Sequence, residues 1–454
     1  MQMRFLPDTP IDNPDEDSLD FSSFVNLIQQ SLENTDPPFV YGVLGDWGTG
    51  KTSTLRLLEN QLADHPTILP IWFNAWKYEN EANIIYPLLH EIKLHYEKTM
   101  AKDVDNEFGR AFKEVMGTSF LALGDIGLRI ATKTLTGEGI KLRDVQSHLK
   151  AIKEHQGEWQ ELFSDWADQV GQLEEAFRKL LQAYAKDWAD AKSRALPKDV
   201  TPNEIRFVIL IDDLDRCLPD TTIAILEGIK NYLTATGTSD SPNQSIFILA
   251  LNAQVVYQGI RLKYKGLEID GREYLEKILN YSFYVPEPEI DKISTFTRNR
   301  LRHLLGMTND QAPSEVQDKL LNTYGDPLGD VLEKCRFNNP RKIKRILNRY
   351  LLFITQFEVK FKDKTWQVAT IIRLMILAEY YPILFQFIYG AEKPDTVLRD
   401  LHVSTQYADL VNKGYDFKIP SSYPPLFRIK ALFKNTNRQL REELDAVFQL
   451  TRQL

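Results

Sequence analysis

The chain has 454 residues, 43% hydrophobic and 11% aromatic, enough to bury one large core or two to three smaller ones, which excludes a disordered chain. Its formal net charge of −8 argues against general affinity for nucleic acid, although a local basic groove stays open. The only cysteines, Cys217 and Cys335, lack metal-ligand spacing, so neither a zinc site nor a disulfide framework is expected and a reduced cytoplasm is the default compartment.

Residues 1–20 are turn formers and carboxylates, unlike a signal peptide. Phe21 to Leu32 has helical spacing through Phe24, Leu27 and Ile28; preceding the first strand, it is a candidate for adenine contacts. Tyr41 to Leu44 reads as a short apolar strand. It leads into Gly45-Asp46-Trp47-Gly48-Thr49-Gly50-Lys51-Thr52-Ser53 and an amphipathic helix through Leu55, Leu58 and Leu62. Positions 45 to 52 match G-x-x-x-x-G-K-[ST] in the strand-to-helix setting that the pattern requires. Glycines at 45, 48 and 50 permit backbone conformations closed to other residues and turn successive N–H groups toward a β-phosphate, where the helix N-terminus adds about half a positive charge. Lys51 is placed to reach β- and γ-phosphate oxygens, and Thr52 to offer its hydroxyl to Mg²⁺.

Thr67 to Phe73 is a second apolar strand and Ile84 to Tyr96 a helix, an order that suits a right-handed crossover and a parallel, doubly wound sheet. From 97 to 200 the chain changes character. Positions 142, 145, 149, 152, 156, 159, 163, 166, 170, 173, 177, 180 and 184 step by three and four, all apolar or aromatic except Gln156. Either packing on the core or a coiled-coil-like arm for a partner protein or a sister subunit explains that stripe.

Phe207 to Ile211 is a continuous apolar run, as in a strand buried on both faces, ending in Asp212-Asp213. Carboxylates at that end face the crevice where open parallel sheets bind ligands. Asp212 is the candidate Mg²⁺ residue, and Asp213 the candidate base for the attacking water, with Asp215 as its competitor. Arg216 reads either as an arginine finger or as the partner of one of these carboxylates. Thr222 to Leu233 is helical, and Gln244 to Leu251 is a buried strand ending at Asn252, which either senses a γ-phosphate or caps the next helix. No N-K-x-D element is present to read guanine, so ATP is favoured.

A helical run is expected from Ile260 to Val285, and Pro286-Glu287-Pro288 marks a boundary. Residues 289–454 are mostly helical. Within them a helix opens at Pro340 and carries Arg341, Lys342, Lys344, Arg345 and Arg349. Arg341 reads as a lid arginine over the γ-phosphate, as part of a solvated basic face, or as part of a nucleic-acid stripe. Val115 to Leu128 and Ile371 to Tyr389 are the most apolar stretches, but neither offers about 20 uninterrupted apolar residues, so no membrane span is expected.

GDWGTGKTS (45–53), FNAWKYEN (73–80), IDDLDRC (211–217), REYLEKI (272–278) and NPRKIKRILN (339–348) together resemble the KAP family of P-loop NTPases, a largely bacterial group that includes phage-exclusion proteins. The resemblance implies that Gly45, Lys51 and Thr52 bind nucleotide, that Asp212 and Asp213 serve Mg²⁺ and hydrolysis, and that the basic helix has the lid position. Many relatives carry two membrane helices where this chain has the polar insert 97–200, so the resemblance here implies a soluble member with a helical arm.

The expected fold is α/β: a P-loop NTPase with a parallel doubly wound sheet, a helical insertion and a C-terminal all-helical region. Its parts would be 1–96 and 201–288 as the nucleotide-binding core, 97–200 as the insertion and 289–454 as a helical lid. The expected activity is Mg²⁺-dependent ATP hydrolysis driving a conformational switch in anti-phage defence. The alternatives are a scaffold that holds ATP with little turnover and recruits an effector, and small-molecule phosphotransfer, for which no acceptor site is evident.

Overall fold

The computed structural model describes residues 5–79, 85–100, 106–116, 156–195, 199–230, 242–265, 269–307, 321–322, 326–360, 368–404, 406–413, 415, 423, 426–433 and 440–453. The chain forms two compact units, Ser22–Val285 and a second built from Met1–Phe21 with Pro286–Leu454. The leading residues, read from sequence as the start of the nucleotide-binding core, therefore cluster with the C-terminal unit.

In the first unit, helix α1 (Phe21–Glu33) precedes β1 (Phe39–Leu44), α2 (Lys51–Leu62), β2 (Ile68–Asn74) and α3 (Ile85–Met100). Helix α4 (Gln156–Ala195), β3 (Arg206–Asp212), α5 (Pro219–Gly228), β4 (Ser245–Leu251), α6 (Ala253–Lys263), α7 (Gly271–Glu276) and β5 (Tyr281–Tyr284) follow. The strands make one parallel sheet in the order β2-β3-β4-β1-β5. Between their ends its three inner strands are an almost unbroken run of buried apolar residues, with no polar side for alternation to mark. Each fully buried Leu, Ile or Phe there contributes about 1.5–3 kcal/mol. The carboxyl ends of β1, β3 and β4 open on the same edge, which carries Lys51 and Asp212.

Helix α4 decides the meaning of the long apolar stripe over part of its length. Leu173, Phe177, Leu180 and Tyr184 are buried in the same cluster as Phe207 and Ile209 of β3, and the Trp188 indole donates to the Pro66 carbonyl at 3.0 Å. These positions belong to the core. Positions 142, 145, 149 and 152 of the stripe lie outside the described residues.

Tyr184 also meets His95 of α3, whose Nδ1 lies 2.8 Å from the Tyr184 hydroxyl. Burial first, and then the charge of Lys98, lower the His95 pKa from 6.5 to about 4. A histidine held neutral in the fold and free to protonate when unfolded contributes stability that is fully present above pH ~6.5 and is lost as pH falls toward ~4; the upper bound is ~3 kcal/mol. Chemical denaturation of wild type should weaken across that window, and His95→Gln should remove that part of the slope. Equal slopes in both proteins would show that His95 is not the titrating group.

One element departs from the sequence reading. The expected helical run to Val285 stops at Glu276, and Tyr281–Tyr284 instead pair in parallel with β1, Tyr41 opposite Tyr281 and Leu44 opposite Tyr284. The reason is that β1 would otherwise leave one row of backbone groups unpaired. Asn280 starts the pairing: its N–H donates to the Val40 carbonyl and its Oδ1 accepts from the Val40 N–H, each at 2.8 Å.

The C-terminal unit is helical, with α8 (Ile290–Leu304), α9 (Asp326–Lys334), α10 (Pro340–Lys360), α11 (Val368–Tyr380), α12 (Pro382–Gly390) and α13 (Pro394–Val403) before further helices that end with Leu440–Gln453. The N-terminal strap is tied to α10, Leu6 N–H to Asn348 Oδ1 at 2.8 Å and Asn348 Nδ2 to the Leu6 carbonyl at 2.9 Å. The apolar stretch Ile371 to Tyr389 is divided between α11 and α12 at Pro382, whose ring cannot continue a helix. Among the described residues no helix is long and apolar enough to cross a membrane.

Candidate functional site

The loop between β1 and α2 is shaped by its glycines. Gly48 and Gly50 have φ of 83° and 110°, in the left-handed region. At Gly45 an added Cβ would stand 2.7 Å from Thr49 Oγ1. The loop closes on itself through Thr49, whose N–H and hydroxyl both donate to the Asp46 carbonyl, at 3.3 and 2.8 Å. It is tied to β4 by the Gly45 N–H, 3.3 Å from the Leu251 carbonyl.

Lys51, in the first turn of α2, is 8% exposed. Its Nζ donates to the Gly45 and Asp46 carbonyls at 2.8 and 3.2 Å and lies 3.3 Å from Asp215 Oδ2. The ammonium thus spans the mouth of its own loop, where it meets oxygen ligands of the kind that phosphate would supply. Asp212, the last residue of β3, is 2% exposed, and Thr52 is near enough to act against the rise of its pKa. Burial, followed by the Asp213 charge, pushes the Asp212 carboxyl up to about 6. A carboxylate kept in so unfavourable a place, beside a threonine at a helix N-terminus, has the donor chemistry of a Mg²⁺ site. The group fits: the glycines at 45, 48 and 50 open the loop backbone to phosphate, and Thr52 stands near Asp212 at the loop's edge. Ser53 sits beside Thr52 on the same turn, half-buried.

The two further aspartates differ. Asp213 has φ of 58°, a conformation few residues other than glycine adopt, although aspartate tolerates it. Its Oδ1 pairs with Arg216 Nε at 2.7 Å, and its Oδ2 accepts from Asn74 Nδ2 at 3.0 Å. Of the two sequence readings of Arg216, the pairing with a nearby carboxylate is the one observed; the guanidinium also lies 5.3 Å over the Trp76 ring. Asp215 is 5% exposed and inward-facing. Its Oδ2 accepts from the Asn252 N–H at 2.6 Å and from the Trp47 indole at 3.2 Å, besides meeting Lys51.

Of the two sequence readings of Asn252, the helix cap is the one observed, and the side chain also reaches the phosphate loop. Its Oδ1 caps α6, accepting from Gln254 and Val255 N–H at 3.0 and 3.4 Å, while Nδ2 donates to Asp46 Oδ1 at 3.2 Å across to the phosphate loop. Trp47 is 54% exposed despite its bond to Asp215.

Lys51, Thr52, Asp212, Asp213 and Asn252 are thus brought to one crevice. Arg341 belongs to the C-terminal unit, where its Nε stands 2.6 Å from Asp8 Oδ2. On the same helix Lys344 donates to the Thr9 carbonyl at 3.0 Å, and Arg349 pairs with Glu379. Two contacts went unread in the sequence. Asn74 could have been found from strand pairing, since it stands opposite Asp212 in the β2–β3 register. No local pattern reveals that Asp215 gathers the phosphate loop and the β4 tip. Among the described residues no group of three or more His, Cys, Asp or Glu is arranged to hold a metal by itself.

The family model described as "KAP family P-loop domain" matches residues 21–355. The Phage T7 exclusion protein of Escherichia coli (strain K12) is 22% identical over 362 residues, covering 76% of this chain. The chain spans 43% of that relative's length. An uncharacterized protein of Methanocaldococcus jannaschii is 24% identical over 191 residues, 38% of this chain and 88% of its own. Two solved structures of the Aeropyrum pernix ORC2 protein superpose with TM-scores of 0.32 (ADP form, 11% identity, covering 86% of this chain and 77% of that one) and 0.33 (ADPNP-ADP complexes, 13%, 99% and 97%), likenesses too loose to inform this site.

Proposed function

The chain belongs to the KAP family of P-loop domains, and from that premise we propose that it binds ATP with Mg²⁺ in the crevice at the tips of β1, β3 and β4 and hydrolyses it. The observation that carries this reading is the convergence there of a buried lysine, a threonine near a buried aspartate, and two more carboxylates around a glycine-rich loop.

Lys51 and the N–H groups of residues 48–52 would hold the phosphates. Thr52 and Asp212 would hold Mg²⁺, which when bound neutralises charge on the β- and γ-phosphate oxygens. Asp213 is the base assigned to the attacking water: it is half-buried, stands next to the metal-binding acid, and is oriented from two sides by Asn74 and Arg216. Asn252 would orient that water from the β4 tip. Asp215 is a positioning residue, linking the loop to β4 through Trp47 and the Asn252 N–H. Filling the pocket must draw Lys51 away from the Gly45 and Asp46 carbonyls and Asp215, because one ammonium cannot serve both sets of oxygens. That exchange would be the first move of a nucleotide-driven switch.

Trp47 supplies a direct readout. Lys51 shares Asp215 with the exposed indole, so adding ATP and Mg²⁺ should change tryptophan fluorescence saturably, and Trp47→Phe should remove most of the change. A full-sized change in Trp47→Phe would place the reporter among the other tryptophans and undo the coupling proposed here. Phosphate release by purified chain, absent in the Lys51 variant, tests hydrolysis itself. Nucleotide uptake without release would favour the ATP-holding scaffold, in which the insertion or the basic helix of Arg341 recruits an effector or a second copy.

A defence role is proposed from the likeness to the phage exclusion protein. Plaque formation by a broad phage panel should fall in cells that carry the gene; equal plating with and without it would remove the proposal.

A further inference from the structure

A cavity of about 400 Å³ in the C-terminal unit lies between the N-terminal strap, α8 and α10. Its volume falls within the range of small-molecule sites. The strap contributes apolar Leu6 and Ile11 and the hydroxyl-bearing Thr9 and Ser18. Three basic side chains also line it, Arg300 and His303 from α8 and Lys344 from α10. Glu16 is the one acidic residue of the lining.

Two of these cations are poorly paired. The Arg300 Nε is buried without a hydrogen-bond partner, and one Nη donates only weakly, to the Glu16 backbone carbonyl at 3.4 Å. Lys344 donates to backbone carbonyls, Pro7 at 3.5 Å and Thr9 at 3.0 Å. Among the described residues neither has a carboxylate within ion-pair distance, whereas neighbouring Arg341 has Asp8 and Arg349 has Glu379. Burial, and for Lys344 the charge of Arg300 as well, pushes both toward their neutral forms, although Glu16 opposes this at both and Asp8 at Lys344. Two half-buried like charges lining one cavity are costly unless anions balance them, and the lining supplies one carboxylate, Glu16, for the two.

We propose that this cavity is a second ligand site, taking a small phosphate-bearing molecule whose phosphate bridges Arg300 and Lys344 while its less polar part lies on Leu6, Ile11 and Met307. The guanidinium supplies a planar fork for two phosphate oxygens, and the ammonium a point charge opposite. His303, also in the lining, would add a further donor. The strap would close the site from one side, so occupancy would tighten residues 6–18 against α8 and α10. This proposal is independent of ATP binding in the other unit.

The test uses full-length chain carrying Lys51→Ala, so that the phosphate loop does not report. Inorganic phosphate and pyrophosphate are titrated calorimetrically at constant ionic strength, with chloride as the blank. Saturable binding of at least one is expected, weakened about tenfold or more by Lys344→Gln, whose amide can still donate to the strap carbonyls, and likewise by Arg300→Gln. Should Arg300→Gln fail to fold, Lys344→Gln decides. No saturable heat with either anion overturns the proposal, as does binding that both folded variants leave unchanged. Variants that melt lower in buffer alone, with phosphate inert toward wild-type and variant chains alike, would show that these cations only fasten the strap.

Discussion

Lys51→Ala is expected to lose saturable ATP uptake at concentrations that fill the wild-type pocket, and to cut kcat/KM for phosphate release by roughly 10²- to 10³-fold, the scale seen when one preorganised group is removed from a developing anion. The magnitude follows from where the ammonium sits. It is almost fully buried and already organised by two loop carbonyls and a carboxylate, so little reorganisation is needed when phosphate oxygens replace them, and water is a poor substitute. Equilibrium titration with Mg²⁺-ATP and a steady-state phosphate assay would be run on both proteins. Uptake and turnover within about threefold of wild type would end the assignment of this loop, whatever its pattern. Circular dichroism belongs with both measurements, because Asp215 loses its cation in the variant and the loop is expected to loosen.

The second large effect separates two aspartates that lie two positions apart. Asp213→Asn should reduce turnover by about 10²-fold while leaving nucleotide affinity within a few-fold, since an amide accepts no proton from water yet keeps much of the side chain's shape. Its stability cost should be below about 1 kcal/mol, because the pair lost with Arg216 is partly exposed. Asp215→Asn should behave in the opposite manner. Its carboxylate is buried and serves Lys51, Trp47 and the Asn252 N–H, so neutralising it should destabilise the nucleotide-free chain by about 1–3 kcal/mol. ATP binding should weaken with it, since the loop and the β4 tip lose their common anchor. Thermal melts and turnover numbers of the two variants decide the matter. A stable, inactive Asp215→Asn beside an active Asp213→Asn would exchange the roles.

Local chemistry explains why so much of this site is legible along the chain. A phosphate cradle needs positive φ at fixed offsets and a lysine in the first helical turn, and residues 45–52 state both within eight positions. The apolar run before Asp212 announces its strand in the same way, because burial on both faces permits few polar residues. Asn252 was legible as a site residue, but not as one that caps α6 and reaches Asp46 together, since the second contact depends on β4 lying next to β1. Strand β5 was hidden for a similar reason: YSFY is too short to declare a period, and what makes it a strand is the open edge of β1.

Contacts distant in sequence had to be supplied by the folded molecule. Whether Leu173 to Tyr184 face a core or a partner is not encoded in their spacing, because an apolar stripe looks the same to both. The role of Asp215, and the meeting of Arg300 with Lys344 under a strap from the other end of the chain, are likewise absent from any local window. The amino-acid order alone determined the P-loop, the acidic strand end and the α/β class, because these rest on backbone conformation and burial that neighbouring residues dictate. The tertiary structure alone decided which partners each acid meets, where the long helix packs from Leu173 to Tyr184, and which cations have no ion pair among the described residues, because electrostatic partnership depends on distances that only packing sets.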